Sequence, residues 1–401
     1  MSDEVSYPAL YLKRGEDARL RTGHLWVFSN EVDVKRSPLT DFEPGEACVI
    51  VDSTDKPIGI GYVNPNSLIA ARLVNRGVAH VLDRSLIVHK CNVALSLRER
   101  LFDEPYYRLV FGESDGLPGL TVDRYGDVLV AQTTTAGMER LKNEIAEALV
   151  KVVKPRALVW KNDAGIRALE QLPEYADIAL GDLPTPVLAR EGGVDFEIDP
   201  IGGQKTGWFY DQRANRDLLG AYVKGKRVLD VFSYLGGWGL RAAAAGAEDV
   251  VCVDASASAV EAIARNAARN GFAERVRTVK SDAFDYLKSL REQRERFDVV
   301  VLDPPAFVKR KKDFAEGRLA YRRINEMAMQ ILARDGILIT CSCSYHMSRA
   351  TLLEAVQQGA RHLDRQVQVL SQLQQASDHP VHPAIAETDY LKGFICRVLP
   401  S

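Results

Sequence analysis

In the second half of the chain, short apolar runs alternate with helical patterns. Val228-Leu229-Asp230-Val231, Val250-Val251-Cys252-Val253-Asp254, residues 276–280, residues 297–302 and residues 335–344 read as five strands. Helical patterns at 215–222, 240–245, 256–270 and 283–290 separate them, and a Ser256 start and a Gly271 stop cap the third of these. Strands that alternate with helices predict a doubly wound parallel sheet covered on both faces. The first half is patterned differently. Residues 49–52, 58–63 and 67–74 are short strands, the first two joined by a turn at 53–57, and they mark a small β domain. A helical run at 78–101 with Arg84, Lys90, Arg98 and Arg100 on its polar side, strands at 121–123 and 127–132, a helix at 137–152 and a strand at 157–160 then describe a small α+β unit. A hairpin strand at 191–200 leads through a dense polar string to the first parallel strand. The expectation is an α/β chain of three domains, residues 1–76, 77–190 and 191–401.

Length agrees, because 401 residues exceed one ordinary core. The formal net charge of −2 gives no global field for a polyanion, so any nucleic-acid surface must be local. The N-terminus lacks a basic-then-apolar leader and no run of about 18 apolar residues occurs. That reads as a soluble, cytoplasmic protein without a membrane partner. The cysteines Cys48, Cys91, Cys252, Cys341, Cys343 and Cys396 are scattered without paired CxxC spacing, which supports neither a disulfide framework nor a metal site.

The candidate chemistry gathers where strands end. After Asp230 the chain turns through Phe232-Ser233-Tyr234-Leu235-Gly236-Gly237 into a helix, offering backbone N–H groups that glycines leave accessible. Asp254 closes the next strand, where an acid can accept from ribose hydroxyls. Gly237-Trp238-Gly239-Leu240-Arg241-Ala242 fits a dinucleotide fingerprint. Against it, four residues separate strand from glycines, and Asp230 would repel a pyrophosphate yet welcome a cationic amino acid. Asp282 suits an adenine amino group, or simply caps the helix after it. Asp303 is held at a strand end by Pro304 and Pro305. In the polar string Gly203 to Arg213, Asp211 and Arg213 either serve a ligand or pair with each other in a capping turn. Strand alternation puts Cys341 and Cys343 on one face, with Cys343 nearer the carboxyl end where ligands bind. The other cysteines read as small buried hydrophobes. Lys309, Arg310, Lys311 and Lys312, with Arg318, Arg322 and Arg323 following, suit phosphate contacts or a solvated face. His346 reads as incidental.

Several of these strings also carry a resemblance. VLDVFSYLGGWGL resembles motif I of class I S-adenosylmethionine (SAM) methyltransferases, and VVLDPPAF resembles motif IV of nucleic-acid methyltransferases. LKRGEDARLRTGHLWVFSNEV resembles a PUA domain, a small RNA-holding barrel, and RLVFGESDGLPGLTVDRYGD resembles a middle domain that lies between PUA and catalytic domains. Together with QKTGWFYDQR and the CSCS strand they resemble the RlmI-type family of large-subunit rRNA cytosine-5 methyltransferases. The resemblance implies a PUA-like barrel, an α+β middle domain and a Rossmann-like SAM methyltransferase domain acting on ribosomal RNA; homodimerisation is left open. It implies Cys343 as nucleophile, matching a Gly-(six residues)-Cys-Ser spacing from Gly336, and Asp303 on the cytosine ring nitrogen. A thiolate that adds at carbon 6 makes carbon 5 able to accept a methyl. For SAM it implies Phe209, Asp211, Arg213, Asp230, Ser233, Gly236, Gly237, Asp254, Asp282 and Asp303; for RNA, Lys309 to Lys312 with Lys13 and Arg14. Two departures stand out. Ala306 replaces the second cysteine that better-known cytosine-5 enzymes carry after motif IV, and also the aromatic of amino-directed enzymes, Phe307 coming one residue later. The base that removes the carbon-5 proton is unassigned. A base-amino methyltransferase, an NAD-dependent oxidoreductase and a non-catalytic RNA-binding module are the alternatives.

Overall fold

The computed structural model describes residues 7–401; residues 1–6, part of the N-terminal stretch read above, lie outside it. The chain packs as two compact units, one of residues up to 187 with 199–208 and 378–388, the other of 188–198 with 209–377 and 389–401.

In the first unit, β1 (Ala9–Tyr11), β2 (Trp26–Phe28), β3 (Glu46–Val51), β4 (Pro57–Val63) and β5 (Ile69–Arg76) form one sheet in the order β1-β3-β4-β5-β2. Leu10, Val27, Ile50, Val63 and Leu73 fill its core. At Gly61 a Cβ would strike the Arg72 carbonyl, so only glycine lets β5 come this close. A second sheet, β6 (Tyr106–Phe111), β7 (Leu120–Tyr125), β8 (Val128–Thr133), β9 (Ala157–Asn162) and β10 (Tyr175–Gly181), runs β10-β9-β8-β7-β6 and shares a core with helices Arg84–Leu101 and Lys142–Val153. The first of these helices starts six residues later than its pattern suggests, at Arg84 rather than 78, because the Asp83 side chain accepts the Leu86 N–H at 3.0 Å. The second, expected as one helix over 137–152, breaks at Leu141 into Ala136–Arg140 and Lys142–Val153. Arg98, placed by its pattern on the polar side, is fully buried. Its guanidinium forks onto Asp115 at 2.7 and 2.8 Å, the bidentate pairing a buried charge requires.

The second unit holds the hairpin β11 (Val187–Glu191) and β12 (Val194–Ile198) and a seven-stranded sheet. That sheet comprises β13 (Arg227–Val231), β14 (Asp249–Asp254), β15 (Val276–Lys280), β16 (Phe297–Leu302), β17 (Leu332–Ser342), β18 (Arg365–Gln374) and β19 (Lys392–Pro400). Its order is β15-β14-β13-β16-β17-β19-β18, parallel up to β17, with β19 antiparallel to both neighbours. Order reverses between β13 and β16, and in such sheets the ligand crevice opens there, beyond the carboxyl ends of the strands. The buried Val and Leu side chains of β13, β14, β16 and β17 pack on helices Ala283–Glu292, Phe314–Ile331 and Arg349–His362. β18 and β19 had no counterpart among the expected strands.

Candidate active site

The loop after β13 is wound more tightly than a glycine turn. Phe232, Tyr234 and Gly236 have φ of +67°, +53° and +85°, and two of these are non-glycine residues in the left-handed region. Each such residue costs on the order of 1–2 kcal/mol, a strain characteristic of functional loops. It is held by Phe232 and Ser233 N–H groups on the Val253 carbonyl, both at 3.0 Å, and by the Tyr234 N–H on Asp254 Oδ2 at 2.9 Å. The helix then begins at Gly237, earlier than the sequence pattern suggests, so Gly237 and Gly239 lie inside its first turn. A Cβ on Gly239 would collide with the Cys252 sulfur.

Asp230 explains that early start: its Oδ2 accepts the Gly239 N–H at 2.9 Å. The carboxyl is fully buried, and Oδ1 has no hydrogen-bond partner among the described residues. Burial, with the charge of Asp303 nearby, pushes Asp230 up to about 7 against the pull of the Gly239 N–H. Ser233 is committed to the scaffold, its hydroxyl donating to the Asp230 carbonyl at 2.8 Å and accepting the Val253 N–H at 3.0 Å. Asp254 is half-buried and accepts the Tyr234 and Ser256 N–H groups at 2.9 Å, one on each oxygen, leaving each a second lone pair. Asp282 is exposed and does cap its helix, Oδ1 accepting the Phe284 and Asp285 N–H groups at 2.8 and 3.2 Å.

Asp303 shows what sequence reading missed. Its Oδ1 accepts from Gln212 Nε2 at 2.9 Å and its Oδ2 from Trp238 Nε1 at 3.0 Å. Burial and the Asp211 charge raise its carboxyl, opposed by those two donors and by Arg216. Asp211 is buried, with Oδ2 accepting the Tyr390 hydroxyl at 2.5 Å, while the Arg213 guanidinium lies 5.0 Å over the Tyr210 ring. The Phe209 ring meets Tyr234 edge-on at 5.3 Å. Buried Arg216 anchors this stretch, donating to Glu191 at 2.6 Å and to the Phe209 carbonyl at 2.7 Å. Of the polar string, residues 209–213 belong to this unit and 203–208 to the other.

β17 ends at Ser342, its last register partner being Lys392 of β19, so Cys343 sits just past the strand rather than on it. The two thiols differ. Cys341 is fully buried and pushed well above the ordinary thiol range by burial and by Asp303, whereas Cys343 is half-buried. Its neighbours are pinned: Ser342 donates to the Tyr321 hydroxyl at 2.8 Å, and Ser344 Oγ lies 3.0 Å from the same hydroxyl and accepts the Val308 N–H at 3.2 Å. Phe307 packs 4.8 Å from Tyr321 and 6.3 Å from both Phe232 and Phe284. Lys309, Arg310, Lys311 and Lys312 are all exposed, with Arg310 paired to Asp313 at 3.0 Å. In the first unit Lys13 and Arg14 are exposed, Lys13 donating to the Asn30 carbonyl at 2.7 Å. Arg19 and Arg21 are instead taken up by Glu31 and Asp52, each at 2.6 Å.

The second unit thus gathers three interacting carboxyls, Asp230, Asp303 and Asp211, one of them with a buried orphan oxygen. Such a cluster fits a ligand that brings positive charge, as the ammonium and sulfonium of SAM would, and disfavours a pyrophosphate. Known proteins agree. A family model for S-adenosylmethionine-dependent methyltransferases matches residues 179–394, and one for PUA-like domains matches residues 10–76. The ribosomal RNA large subunit methyltransferase I of Aliivibrio fischeri is 37% identical over 396 residues, covering 98% of this chain and 99% of its own. The chain belongs to the ribosomal RNA large subunit methyltransferase I family. The family assignment makes it a SAM-dependent methyltransferase with a PUA-like N-terminal domain and a Rossmann-like class I domain. Solved folds are similar. A SAM-dependent methyltransferase from Streptococcus mutans superposes with a TM-score of 0.81 at 21% identity, covering 97% of this chain and 100% of its own. A methyltransferase solved with S-adenosylhomocysteine reaches 0.83 at 21% identity, with the same coverage. No helix among the described residues is long and apolar enough to cross a membrane, and none of their side-chain clusters is suited to a metal ion.

Proposed function

We propose that this member of the family methylates carbon 5 of a cytosine in large-subunit rRNA, through a covalent adduct with Cys343. The observation that carries the reading is the contrast between the two thiols: five cysteines are buried, and the one that is half-exposed stands at the carboxyl edge of β17 on a turn pinned at both flanking serines. A methylation of an exocyclic amine needs no thiol there, and the aromatic nearest motif IV, Phe307, is engaged with Tyr321 and Phe284.

Asp230 would hold the ammonium of SAM on its orphan oxygen, Asp254 the ribose hydroxyls, and Asp282 the adenine amino group through the oxygen the helix cap leaves over. SAM supplies an electrophilic methyl group. The Cys343 thiolate adds to carbon 6 of the ring, making a carbon–sulfur bond and moving an electron pair toward carbon 5. The Asp303 carboxyl, kept neutral more easily because burial raises it, donates to the ring nitrogen and stabilises the negative charge that the attack creates. Carbon 5 takes the methyl group, with S-adenosylhomocysteine as the leaving group; a base then takes the carbon-5 proton, and the electron pair left behind expels the Cys343 thiolate and restores the ring.

Methyl-labelled SAM and unmodified rRNA should give label in 5-methylcytidine after digestion to nucleosides. Label in a methylated purine would overturn the reading. Contacts to rRNA are assigned to Lys309–Lys312 in the second unit and, separately, to Lys13 and Arg14 in the first. Replacing Lys309, Arg310, Lys311 and Lys312 by glutamine should weaken rRNA binding about tenfold near 0.15 M salt, and reduce the slope of log affinity against log salt by roughly one per lost phosphate contact. SAM affinity, measured in the same protein, should be unchanged.

A further inference from the structure

We propose that Lys392 is a positioning residue that holds the Cys343 thiol in its reactive, ionised form. The inference rests on the reading of Cys343 as nucleophile and adds the group that prepares it. Lys392 opens β19 directly opposite Ser342, the last residue of β17, so the antiparallel pairing delivers it to the turn that carries the thiol. Its side chain is buried, 5% exposed, and its ammonium donates to the Ser344 carbonyl at 2.7 Å. A buried ammonium needs negative charge or strong acceptors nearby, and here it is seated on the carbonyl of the residue that follows the cysteine.

The surrounding charges agree with this seat. Burial lowers the ammonium, the Asp389 carboxylate and the charge of Cys343 support it, and Arg349 at the start of the next helix opposes it. From helix Phe314–Ile331 the Tyr321 hydroxyl faces the same thiol; burial and the charge of Cys343 both raise it, so it stays neutral and serves as a hydrogen-bonding post. Asp303 and Arg216 act on the deeper Cys341, which burial holds in its thiol form. Lys392 therefore places a cation at the turn of Cys343, and a cation beside a thiol lowers its pKa and raises its nucleophilic fraction at neutral pH. Nothing in the local sequence around Lys392 marks it; the sheet brings it there.

The test is the pH dependence of iodoacetamide alkylation of Cys343 in the full chain, without SAM or RNA, located by peptide mass spectrometry. The burial of the other five cysteines makes Cys343 the residue that reacts first. The wild-type midpoint should lie about one pH unit or more below the ordinary thiol value of about 8.5. Lys392→Met should raise that midpoint by about one unit, slowing alkylation at neutral pH roughly tenfold, and Lys392→Arg should restore most of it. A wild-type midpoint at the ordinary value overturns the proposal without any variant, and so does a folded Lys392→Met protein whose midpoint does not move. Methyl transfer by Cys343→Ala tests the nucleophile reading separately, since retained activity there would remove the catalytic role while the midpoint shift would still report the Lys392 pair.

Discussion

On the proposed mechanism, in which the Cys343 thiolate activates carbon 5, Cys343→Ala should lower methyl transfer to rRNA at least about 1,000-fold. SAM affinity and thermal stability should stay near wild type, since Cys343 is half-buried and fills no core position. The control is Cys341→Ala, two residues earlier and inside β17. Cys341 is fully buried, its thiol is held un-ionised, and a Cβ on Gly393 would already press on its sulfur at 3.1 Å. Its loss should cost about 1–2 kcal/mol of stability through the small cavity left behind, while activity per folded molecule changes by less than about threefold. Side-by-side turnover and melting curves separate the two roles. A variant pair with the opposite pattern, Cys341 essential and Cys343 dispensable, would move the nucleophile inside the sheet and require the strand end to open.

The second large effect concerns Asp230. With Asp230 holding the SAM ammonium as proposed, Asp230→Asn should weaken SAM binding by about 100-fold through loss of one buried charge-assisted contact. Asparagine keeps an acceptor for the Gly239 N–H, so the loop and the helix start survive. In the protein without SAM the same substitution should stabilise. The sign follows from the raised carboxyl. An ordinary aspartate ionises near 3.9 when unfolded, and burial holds Asp230 protonated up to about 7 when folded. Between those values the folded state binds more protons than the unfolded one, so stability falls as pH rises through that window. Asp230→Asn removes this penalty, and at pH 8 its Tm should exceed wild type by about 4 °C. SAM binding has the opposite sense: a cationic ligand needs the carboxylate, so affinity should drop as pH falls below about 7, and binding there should release a proton into the buffer. Calorimetry in two buffers of different ionisation enthalpy reads that proton directly. Tm and affinity that respond to Asp230→Asn in the same direction would contradict the assignment.

Much of this architecture was legible in the chain. Apolar runs closed by Asp254 and Asp303 became β14 and the edge of β16, because a strand buried on both faces must be continuously apolar and its end is where a polar side chain can re-emerge; the run through Asp230 became β13, with that acid sealed inside it. Among the expectations corrected at element boundaries, two turn on a side chain: Asp83 capped its helix late, and Asp230 drew Gly237 and Gly239 into theirs. β17 stops at Ser342, where its register with β19 ends at Lys392. Arg98 was misplaced because a helical pattern records polarity, and a buried arginine with a forked acid partner looks the same in sequence as a solvated one.

The sequence by itself determined the succession of strands and helices, the acids at the strand ends, the glycines that admit a ligand to the backbone, and a family resemblance that runs the length of the chain. These are local signals, carried by a period of two or 3.6 residues and by residue type. Tertiary structure alone decided which groups act on one another. Gln212 reaches Asp303 across 91 residues, Trp238 reaches it across 65, and Lys392 reaches the Cys343 turn across 48. It also decided which of two thiols in a CSC string is sealed in the sheet and which is left at its rim. No short-range pattern encodes such pairs, because strand order and register, fixed by the packing of the whole sheet, set the distance between residues far apart in the chain.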